Sequence, residues 1–328
     1  MAEETPRSVG LLLLPEFSQL GLAAVTECLF VANWLSAREV YRWRTLSLDG
    51  KAARSSAGQR VPVDRGIEQP GRFDILLVMA SFNVQPLTRH RALKAWLRRV
   101  ARHGTTIGSI ETASEVVAAA GLLDGMPVAV HWDNLTGFAE SHPRCRAVSQ
   151  LYTAVGNRLT CAGQSATLDM MLHWIAADQG TALAGEVAAH LMLPNWRGGD
   201  EPQPAPGVRP RTSTDPTLER VLALMQRTIE EPLPCATIAR RAGLTMRRMQ
   251  RLFARDLGTT PVRHYQFLRL SKAHALLQQT DLSVTEIAVS AGFGSLEHFC
   301  RIYRRQFGCR PRDDRRQSVA APVLRRYA

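Results

Sequence analysis

Apolar positions in the first two thirds of the chain alternate between short continuous runs and longer stretches with helical spacing. The continuous runs have the length of strands, and they are typical of strands that are buried on both faces of a sheet. They predict strands at 9–14, 75–79 and 105–110, with a further strand at 41–48 and a strand pair near an edge within 147–162. Helical spacing predicts helices at 19–35, 87–103, 112–120 and 165–193. Strands that alternate with helices favour an α/β doubly wound parallel-sheet domain.

The apolar pattern stops within 195–216, where glycines and prolines are frequent. Such a segment cannot bury a core, so we expect it to be a stiff, extended linker. The chain of 328 residues is long enough for two separate cores. We therefore predict a first domain at 8–194, the linker at 195–216 and a second domain at 217–316.

The second domain contains the same pattern twice. Residues 238–244 and 287–293 each carry an Ile-Ala pair and then an Ala-Gly turn, and each is followed by an amphipathic run, a Gly and a Pro. An internal repeat indicates that each copy is one supersecondary unit, here a helix, a turn and a helix. Gly243 and Gly292 occupy the turns, where a positive φ is expected and glycine adopts it at little cost. The repeat predicts an all-α double helix-turn-helix domain.

Capping residues mark the helix starts of this domain. Thr245 and Ser295 stand where an N-cap is expected before the second helix of each copy. Residues 283–286 form a capping box. The Thr-Pro pair at 260–261 places an N-cap and a proline at the start of a joining helix, which we expect to end near residue 279.

The second helix of the first copy has the composition of a DNA-recognition helix. Met249, Leu252 and Phe253 form its apolar stripe. The outward positions hold Arg247, Arg248, Gln250, Arg251 and Arg255. Arginine contacts guanine with two hydrogen bonds, glutamine contacts adenine, and further arginines bind phosphate. The alternative is a solvated cationic helix face, but two tandem copies favour DNA binding.

Charge is distributed unevenly between the two domains. Residues 212–328 hold 20 Lys and Arg against 10 Asp and Glu, whereas residues 1–211 hold 21 against 19. Most of the net charge of +12 therefore belongs to the repeat domain. A domain that binds the phosphates of DNA requires such an excess.

With its two turns, its glycines and prolines and its joining helix, the segment 217–311 resembles the DNA-binding domain of the AraC/XylS family of transcriptional regulators. The resemblance implies sequence-specific binding to double-stranded promoter DNA. The family's base-contacting positions fall on Arg247, Gln250, Arg251, Leu296, Glu297, Cys300 and Arg301. The full predicted DNA-binding set is Arg247, Arg248, Gln250, Arg251, Arg255, Ser295, Leu296, Glu297, Cys300, Arg301, Arg304 and Arg305. Glu297 either accepts a hydrogen bond from a cytosine amino group or repels phosphate.

In the first domain, residues 108–115 (GSIETASE) and 120–125 (AGLLDG) resemble the elbow of the class I glutamine amidotransferase-like (PfpI/ThiJ) superfamily. Together with 9–14 and 131–132 they resemble the sensor domain of a subfamily of AraC-type regulators. The residues at 15–18, 131–134 and 161–163 are most similar to regulators of glycine betaine, carnitine and arginine catabolism. Enzymes of the superfamily carry a cysteine at the elbow, where this chain has Glu111. Thiolate chemistry is then unavailable, so we expect no catalysis, and we expect Cys161 in the core.

We expect a small-molecule site at the carboxyl ends of the strands, where open α/β sheets bind their ligands. The predicted ligand-binding residues are Phe17, Ser18, Glu27, Ser81, Phe82, Glu111, Thr112, His131 and Trp132. His131 has three interpretations: a relic of a catalytic histidine, a ligand contact or a structural residue. Glu27 is either a second carboxylate at the site or a solvent-facing helix residue.

The side chains at this site predict a cationic or zwitterionic ligand. Burial would raise the pKa of Glu111 unless a positive partner were present. Phe17, Phe82 and Trp132 lie on loops around the expected site, and aromatic faces beside a carboxylate hold ammonium groups. This combination favours a small metabolite of the betaine, carnitine or basic amino-acid kind, which the family resemblance also implies. In the alternative, the aromatic residues pack the sheet against its helices and Glu111 only accepts hydrogen bonds from the backbone.

The whole chain is thus predicted to be a metabolite-controlled transcriptional regulator, an activator that acts as a homodimer with RNA polymerase as a further partner. One rival is an amidase or deglycase tethered to DNA, and another is a non-specific architectural DNA-binding protein. The six cysteines show no C-x-x-C spacing, and Glu3 and Glu4 precede the first apolar run. Reduced thiols and the absence of a signal-peptide pattern predict a cytoplasmic protein without a membrane segment. No cofactor and no metal site is predicted.

Overall fold

The computed structural model describes residues 5–204, 216–280 and 282–320. These residues form two compact units, one that ends at Gln203 and one that begins at Pro204. Residues 195–203, the first part of the predicted linker, therefore belong to the first unit. Of the rest of the predicted linker, 205–215 lies outside the described residues, and Pro216 is the first residue of a helix.

A seven-stranded sheet with the order β10-β11-β7-β6-β1-β2-β5 forms the centre of the first unit. The strands of this unit are β1 (Arg7–Leu13), β2 (Tyr41–Ser47), β3 (Ala53–Arg54), β4 (Arg60–Val61), β5 (Arg65–Gly66), β6 (Ile75–Ala80), β7 (Thr106–Glu111), β8 (Pro127–Ala129), β9 (Arg146–Val148), β10 (Tyr152–Val155) and β11 (Arg158–Cys161). All neighbours in this sheet pair in parallel except β10 and β11, which form the predicted antiparallel pair at an edge. The doubly wound parallel-sheet prediction is confirmed.

Helices cover both faces of this sheet. They are α1 (Gln19–Leu35), α2 (Gln85–Thr88), α3 (Arg91–Arg102), α4 (Ala113–Ala119), α5 (Leu135–Ser141), α6 (Ala166–Gln179) and α7 (Thr181–His190). Alternate residues of β1 point to opposite faces: Leu11 and Leu13 pack with α1, α6 and α7, whereas Leu12 and Leu14 pack with α3 and α4. A strand that is buried on both faces requires a continuous apolar run, which explains the pattern at 9–14.

Two of the predicted helices are each interrupted in the structure. The segment predicted as one helix at 87–103 forms α2 and α3, because His90 is extended and its Nδ1 accepts a hydrogen bond from the backbone N–H of Leu93 at 3.1 Å. The segment predicted at 165–193 divides into α6 and α7 at Gly180, whose φ is +96°. Each break is caused by one local residue, and the helical spacing of the apolar residues continues across it.

The second unit consists of helices within its described residues. They are α8 (Pro216–Arg227), α9 (Cys235–Arg241), α10 (Met246–Leu257), α11 (Pro261–Gln279), α12 (Val284–Ser290), α13 (Leu296–Phe307) and α14 (Pro311–Ala320). The predicted caps are present: Thr245, Thr260 and Ser295 each accept a backbone N–H, and Ser283 with Glu286 forms the capping box. The pairs α9–α10 and α12–α13 are the two predicted helix-turn-helix units.

Each repeat has its own core, and α11 contributes to both. Tyr265, near the start of α11, packs with α8, α9 and α10. Leu270, Ala273 and Leu276 pack further along α11 with α12 and α13. The joining helix thus fixes the spacing between the two recognition helices through apolar contacts at both of its ends.

The two turn glycines predict different sensitivities to the same substitution. Both have a positive φ, +73° for Gly243 and +74° for Gly292. A Cβ at Gly243 would meet nothing within 4 Å, whereas one at Gly292 would collide with the carbonyl oxygen of Ile229. Gly243→Ala should cost about 1–2 kcal/mol, the strain of a left-handed residue. Gly292→Ala should cost clearly more, because a backbone atom must also move.

Urea unfolding of the full chain followed by circular dichroism would measure both losses. All six tryptophans lie before residue 197, so tryptophan fluorescence reports the first unit and should not change. Equal losses for the two variants would contradict the collision at Gly292.

Candidate ligand site and DNA-binding surface

Glu111 occupies a strained turn between β7 and α4. Its φ is +58°, a left-handed conformation that is uncommon for a residue other than glycine. The hydroxyl of Ser114 donates to the Glu111 carbonyl oxygen at 3.0 Å and so helps to hold the turn. This strand–turn–helix geometry is the elbow that the sequence pattern predicted, with a carboxylate at its tip.

The carboxylate of Glu111 is buried among neutral hydrogen-bond donors. The residue is 6% exposed. Its Oε1 accepts from the side-chain amide of Gln164 at 2.8 Å and from the Gln164 backbone N–H at 3.4 Å. Burial raises the pKa of Glu111, and the hydroxyls of Ser81 and Ser18, together with the backbone of Gln164, partly oppose the rise. The site therefore holds a buried carboxylate whose partners in the described ranges 5–204, 216–280 and 282–320 are all neutral.

The loop after β11 packs directly against this carboxylate. Gly163 has a φ of +93°, and a Cβ there would collide with Cγ of Glu111. Cys161 lies in the core, as predicted, and its Sγ accepts the Gly163 N–H at 3.3 Å. Burial raises the pKa of Cys161 to about 12, so its thiol stays protonated at neutral pH. A protonated, fully buried thiol is not a nucleophile.

Backbone strain concentrates at the carboxyl ends of four neighbouring strands. Glu16, Asn83, Glu111 and Gln164 all have a φ between +51° and +60°. They follow β1, β6, β7 and β11, which are adjacent in the sheet. Their side chains form two amide–carboxylate pairs, Asn83 to Glu16 at 2.6 Å and Gln164 to Glu111 at 2.8 Å. Strained residues of this kind, each costing about 1–3 kcal/mol, cluster at functional sites.

Several predicted ligand-binding residues meet at this place. Ser18 is the N-cap of α1, and its hydroxyl accepts the N–H of Gly21 at 3.1 Å. Thr112 donates its hydroxyl hydrogen to the carbonyl oxygen of Ser81 at 2.9 Å. Phe82, the next residue, is 42% exposed. Ser18, Ser81 and Thr112 therefore surround Glu111 or support the loops beside it.

Two predicted residues lie elsewhere. Phe17 is fully buried and packs in the core between the sheet and α1, as in the packing alternative for the aromatic residues. Glu27 is exposed on α1, nine residues beyond Ser18 and thus about 14 Å further along the helix. Its position fits the solvent-facing alternative.

His131 and Trp132 lie just beyond β8 and contact each other, with ring centroids 5.0 Å apart. Both are half-buried. Burial lowers the pKa of His131, so its ring is neutral at neutral pH. The backbone N–H of Trp132 donates to Oε1 of Gln203 at 2.8 Å.

The sequence analysis did not single out Glu16, Asn83, Gln164 and Gln203, although all four contact this region. The only signal for Gln164 was its place directly after the Cys-Ala-Gly motif at 161–163. In the sequence, these four are ordinary polar residues of loops, and their residue types do not distinguish them from other such residues. Only the folded chain brings them next to a buried carboxylate.

The predicted recognition helix α10 presents its polar face to solvent. Arg247, Arg248, Gln250 and Arg251 are exposed, whereas the apolar stripe of Met249, Leu252 and Phe253 is buried. Arg255 is exposed and pairs with Asp256 through two contacts of 2.6 and 2.7 Å. A row of unburied arginines along one helix provides donors for base edges and phosphates.

The corresponding helix α13 is less polar. Leu296 is 42% exposed, and Cys300 is half-buried. Of the predicted DNA-binding residues here, Ser295, Leu296, Glu297, Arg301, Arg304 and Arg305 are exposed. A cleft of about 690 Å³ at the starts of α12, α13 and α14 is lined in part by Arg301, Arg304, Arg310 and Arg312. The second repeat thus offers cations for phosphate and fewer groups for base edges.

These features define a class of protein. Two helix-turn-helix units with cationic outer helices form a DNA-binding module. The α/β unit has an elbow fold that carries a carboxylate and a polar cluster at its strand ends. Such a combination is a DNA-binding regulator with an additional α/β domain.

Comparison with known proteins specifies the family. Residues 8–177 match the DJ-1/PfpI family, and residues 238–317 match a helix-turn-helix domain. The HTH-type transcriptional regulator GbdR of Pseudomonas aeruginosa is 36% identical over 321 residues, which cover 97% of this chain and 87% of the relative. CdhR of the same species is 39% identical over 305 residues, 93% of this chain and 90% of the relative. The chain belongs to this family of HTH-type transcriptional regulators, which join a DJ-1/PfpI domain to an AraC-type helix-turn-helix domain.

Solved structures agree with the fold of the first unit. An AraC family transcriptional regulator from Pseudomonas putida has a TM-score of 0.53 and 26% identity, and the match covers 57% of this chain and 100% of that one. A DJ-1 superfamily protein from Salmonella typhimurium has a TM-score of 0.51 and 22% identity over 57% of this chain and 99% of that one. Among the described residues, no helix has the length and apolar composition needed to cross a bilayer.

Burial of Glu111 predicts a pH-dependent effect of Glu111→Gln on stability. Because its pKa is raised, the folded protein favours the protonated carboxyl more than the unfolded chain does. Ionisation therefore destabilises the fold once the pH exceeds the ordinary glutamate pKa of about 4.3. The variant cannot ionise, so its stability relative to wild type should increase from that pH upward and level off above the raised pKa.

Thermal unfolding followed by tryptophan fluorescence at a series of pH values would measure this trend. Glu27→Gln, which removes an exposed carboxylate from the same unit, is the matched control. A difference between wild type and Glu111→Gln that stays constant with pH would show that the hydrogen bonds to Glu111 cancel the effect of its burial, and a relative stability of the variant that decreases with rising pH would show that they outweigh it.

Proposed function

We propose that this regulator is controlled by a small cationic or zwitterionic metabolite that binds beside Glu111. The observation that carries the proposal is a carboxylate, 6% exposed, whose hydrogen-bond donors within the described part of the chain are all neutral. A buried charge with neutral partners is costly, and a cation of opposite charge offsets that cost. Binding energy would then come from neutralisation of Glu111, which selects cations over neutral and anionic metabolites.

Aromatic side chains near the site support the same ligand class. Phe82 and Trp132 lie on loops at the carboxyl ends of the strands, and both are partly accessible. Aromatic faces attract ammonium groups that cannot donate enough hydrogen bonds. Phe17 is buried in the core and takes no part in this proposal. The subfamily resemblance noted in the sequence also implies betaine, carnitine or a basic amino acid.

We propose further that the first unit is not an enzyme. The elbow carries Glu111 where the superfamily's enzymes carry cysteine, and the buried thiol of Cys161 is held protonated. A tethered amidase or deglycase would need a nucleophile that neither residue supplies. A turnover assay with candidate amides and glycated substrates would reveal that activity.

For the complete protein, we propose a homodimer that activates transcription in the cytoplasm from promoter DNA and contacts RNA polymerase. When the two DNA-binding units of a dimer bind one duplex, the second binding event is intramolecular, and the overall affinity increases. The chain offers two helix-turn-helix units per copy and an excess of cations in the domain that carries them.

Substitution of Arg251 and of Arg255 should have different effects on DNA binding. Arg251 is exposed on the predicted base-contacting face, whereas Arg255 lies one turn later and pairs with Asp256. Arg251→Ala should cost about 1–3 kcal/mol at one base pair and relax specificity there. Arg255→Ala should weaken binding to all sequences alike, as loss of a phosphate contact does.

Selection of a preferred duplex from a random library, followed by titration of that duplex and of a scrambled one, would measure both effects. Equal loss on the two duplexes for Arg251→Ala would show that this face does not contact bases. Binding without any preferred duplex would favour the architectural alternative.

Calorimetry with L-carnitine, glycine betaine and L-arginine tests the ligand class. Wild type should bind at least one of these, and Glu111→Gln should bind it about tenfold more weakly or worse, because the variant loses the electrostatic attraction between the carboxylate and the positive group of the ligand. Glu27→Gln should bind as wild type does. If metabolites without a positively charged group bind wild type and these three do not, the proposed ligand class is wrong.

A further inference from the structure

Residues 195–203, called the strap here, lie along the edge of the sheet just before β10. The backbone N–H of Leu151 donates to the carbonyl oxygens of Gly199 at 3.1 Å and Glu201 at 3.2 Å. The strap is the last segment of the first unit, and at Pro204 the chain passes into the second unit. Any movement of the strap therefore changes where the connection to the DNA-binding domain begins.

Arg197 attaches the start of the strap to the first turns of α6. Its backbone N–H donates to Oδ1 of Asp169 at 2.7 Å, and its guanidinium Nε and Nη2 donate to Oδ2 at 3.1 and 2.6 Å. Nη2 also donates to the hydroxyl oxygen of Ser165 at 3.1 Å. Charge-assisted pairs with several donors are strong and fix geometry. Ser165 directly follows Gln164, the residue that donates to Glu111.

Gln203 attaches the end of the strap to the loop that carries His131 and Trp132. Its Nε2 donates to the carbonyl oxygens of Val130 and Gln150, both at 2.7 Å. Its Oε1 accepts the N–H of Trp132 at 2.8 Å. One side chain thus satisfies three backbone groups, two of which flank His131.

The middle of the strap connects to the elbow through Leu151. The Leu151 N–H donates to Gly199, and its carbonyl oxygen accepts the N–H of Ala162 at 2.9 Å. Ala162 precedes Gly163, the glycine that packs on the elbow carboxylate. Gly199 itself is close to the neighbouring chain, since a Cβ there would lie 2.7 Å from the carbonyl oxygen of Tyr152.

We propose that the strap transmits the occupancy of the ligand site to the DNA-binding unit, because a bound metabolite and a docked strap stabilise each other. The proposal rests on the proposed function, in which a metabolite binds beside Glu111. Each attachment of the strap makes at least one contact that leads to that site: Arg197 bonds to Ser165, the residue after Gln164, and Gln203 bonds to Trp132 itself. Leu151 connects the middle of the strap to Ala162, the residue before Gly163. A ligand that repositions Gln164 or Trp132 therefore acts directly on Arg197 or Gln203, with no need for a shared core between the domains.

Because the coupling is reciprocal, it can be measured as a change in ligand affinity. If the ligand favours the docked strap, then undocking the strap must weaken ligand binding by the same factor. A strap that only covers the exposed edge of β10 would instead affect stability and leave ligand affinity unchanged.

Adjacent glycines supply a matched pair of variants. Gly199→Ala should displace the strap, because the new Cβ meets the backbone of Tyr152. At Gly198 a new Cβ would meet only the carboxylate of Asp200, the movable end of a side chain. Gln203→Ala undocks the other end by loss of hydrogen bonds alone, so it tests the proposal even if Gly199→Ala folds poorly.

Calorimetry on the full chain with L-carnitine, glycine betaine and L-arginine measures the effect. For a probe that binds wild type, Gly199→Ala and Gln203→Ala should each reduce affinity about fivefold or more. Gly198→Ala should bind as wild type does. Hydrogen exchange of the Arg197 and Trp132 amides should slow in wild type when the probe is added, since both donate into strap contacts.

The two proposals fail in different ways. Unchanged affinity in the folded Gln203→Ala variant, with unchanged exchange in wild type, overturns the strap proposal and leaves ligand binding intact. If none of the three probes binds, the proposed ligand class is wrong. Hydrogen exchange of the Glu111→Gln variant then tests the strap proposal. Altered exchange of the Arg197 and Trp132 amides in that variant supports coupling, and unaltered exchange overturns it.

Discussion

A buried carboxylate with no cationic partner among the described residues is the constraint on which the first unit depends. Glu111 loses its hydration at a backbone conformation that only glycine adopts freely, so the surrounding chain must compensate. Hydrogen bonds from Gln164 and from two serine hydroxyls do this in part, and Gly163 permits the close approach. These partners come from three separate loops, because parallel strands deliver their carboxyl ends to one edge of the sheet. The parallel topology therefore allows several loops to donate hydrogen bonds to one buried carboxylate.

The second unit applies one set of local rules twice and varies the outer residues. Caps, turn glycines and buried aromatic residues are equivalent in the two repeats, so the backbones are alike. Gly243 faces open space, whereas Gly292 is enclosed by the segment before α9, and the guanidinium of Arg269 lies 4.0 Å from the ring centroid of Phe293. The second repeat is thus held more tightly against its neighbours. With fewer base-reading groups on α13, its role fits positioning on phosphates better than direct readout.

The parts of this structure that the sequence predicts are those with local causes. Helix α1 begins and ends where the spacing predicts, and the capping box of Ser283 starts α12 as expected. The elbow could also be located, because its pattern is contiguous. The partners of Glu111 could not be, since Gln164 lies far away in the sequence and any polar residue is acceptable in an isolated loop. Phe17 is the opposite case. Its position in a loop suggested that a ligand could reach its side chain, but tertiary packing buries it.

An elbow with a carboxylate keeps the strained backbone but lacks the cysteine that enzymes of the superfamily carry there. That strain is useful in a sensor. A site that destabilises the unliganded protein gains more free energy when the ligand binds. A cation at Glu111 would replace the neutral donors as its main partner, and Gln164 would be free to move with the first turn of α6. Since Arg197 is bonded to that same turn, neutralisation of one charge has a direct mechanical route to the end of the domain. Under the proposed function, the last segment of the first unit would then respond to the metabolite through its own hydrogen bonds.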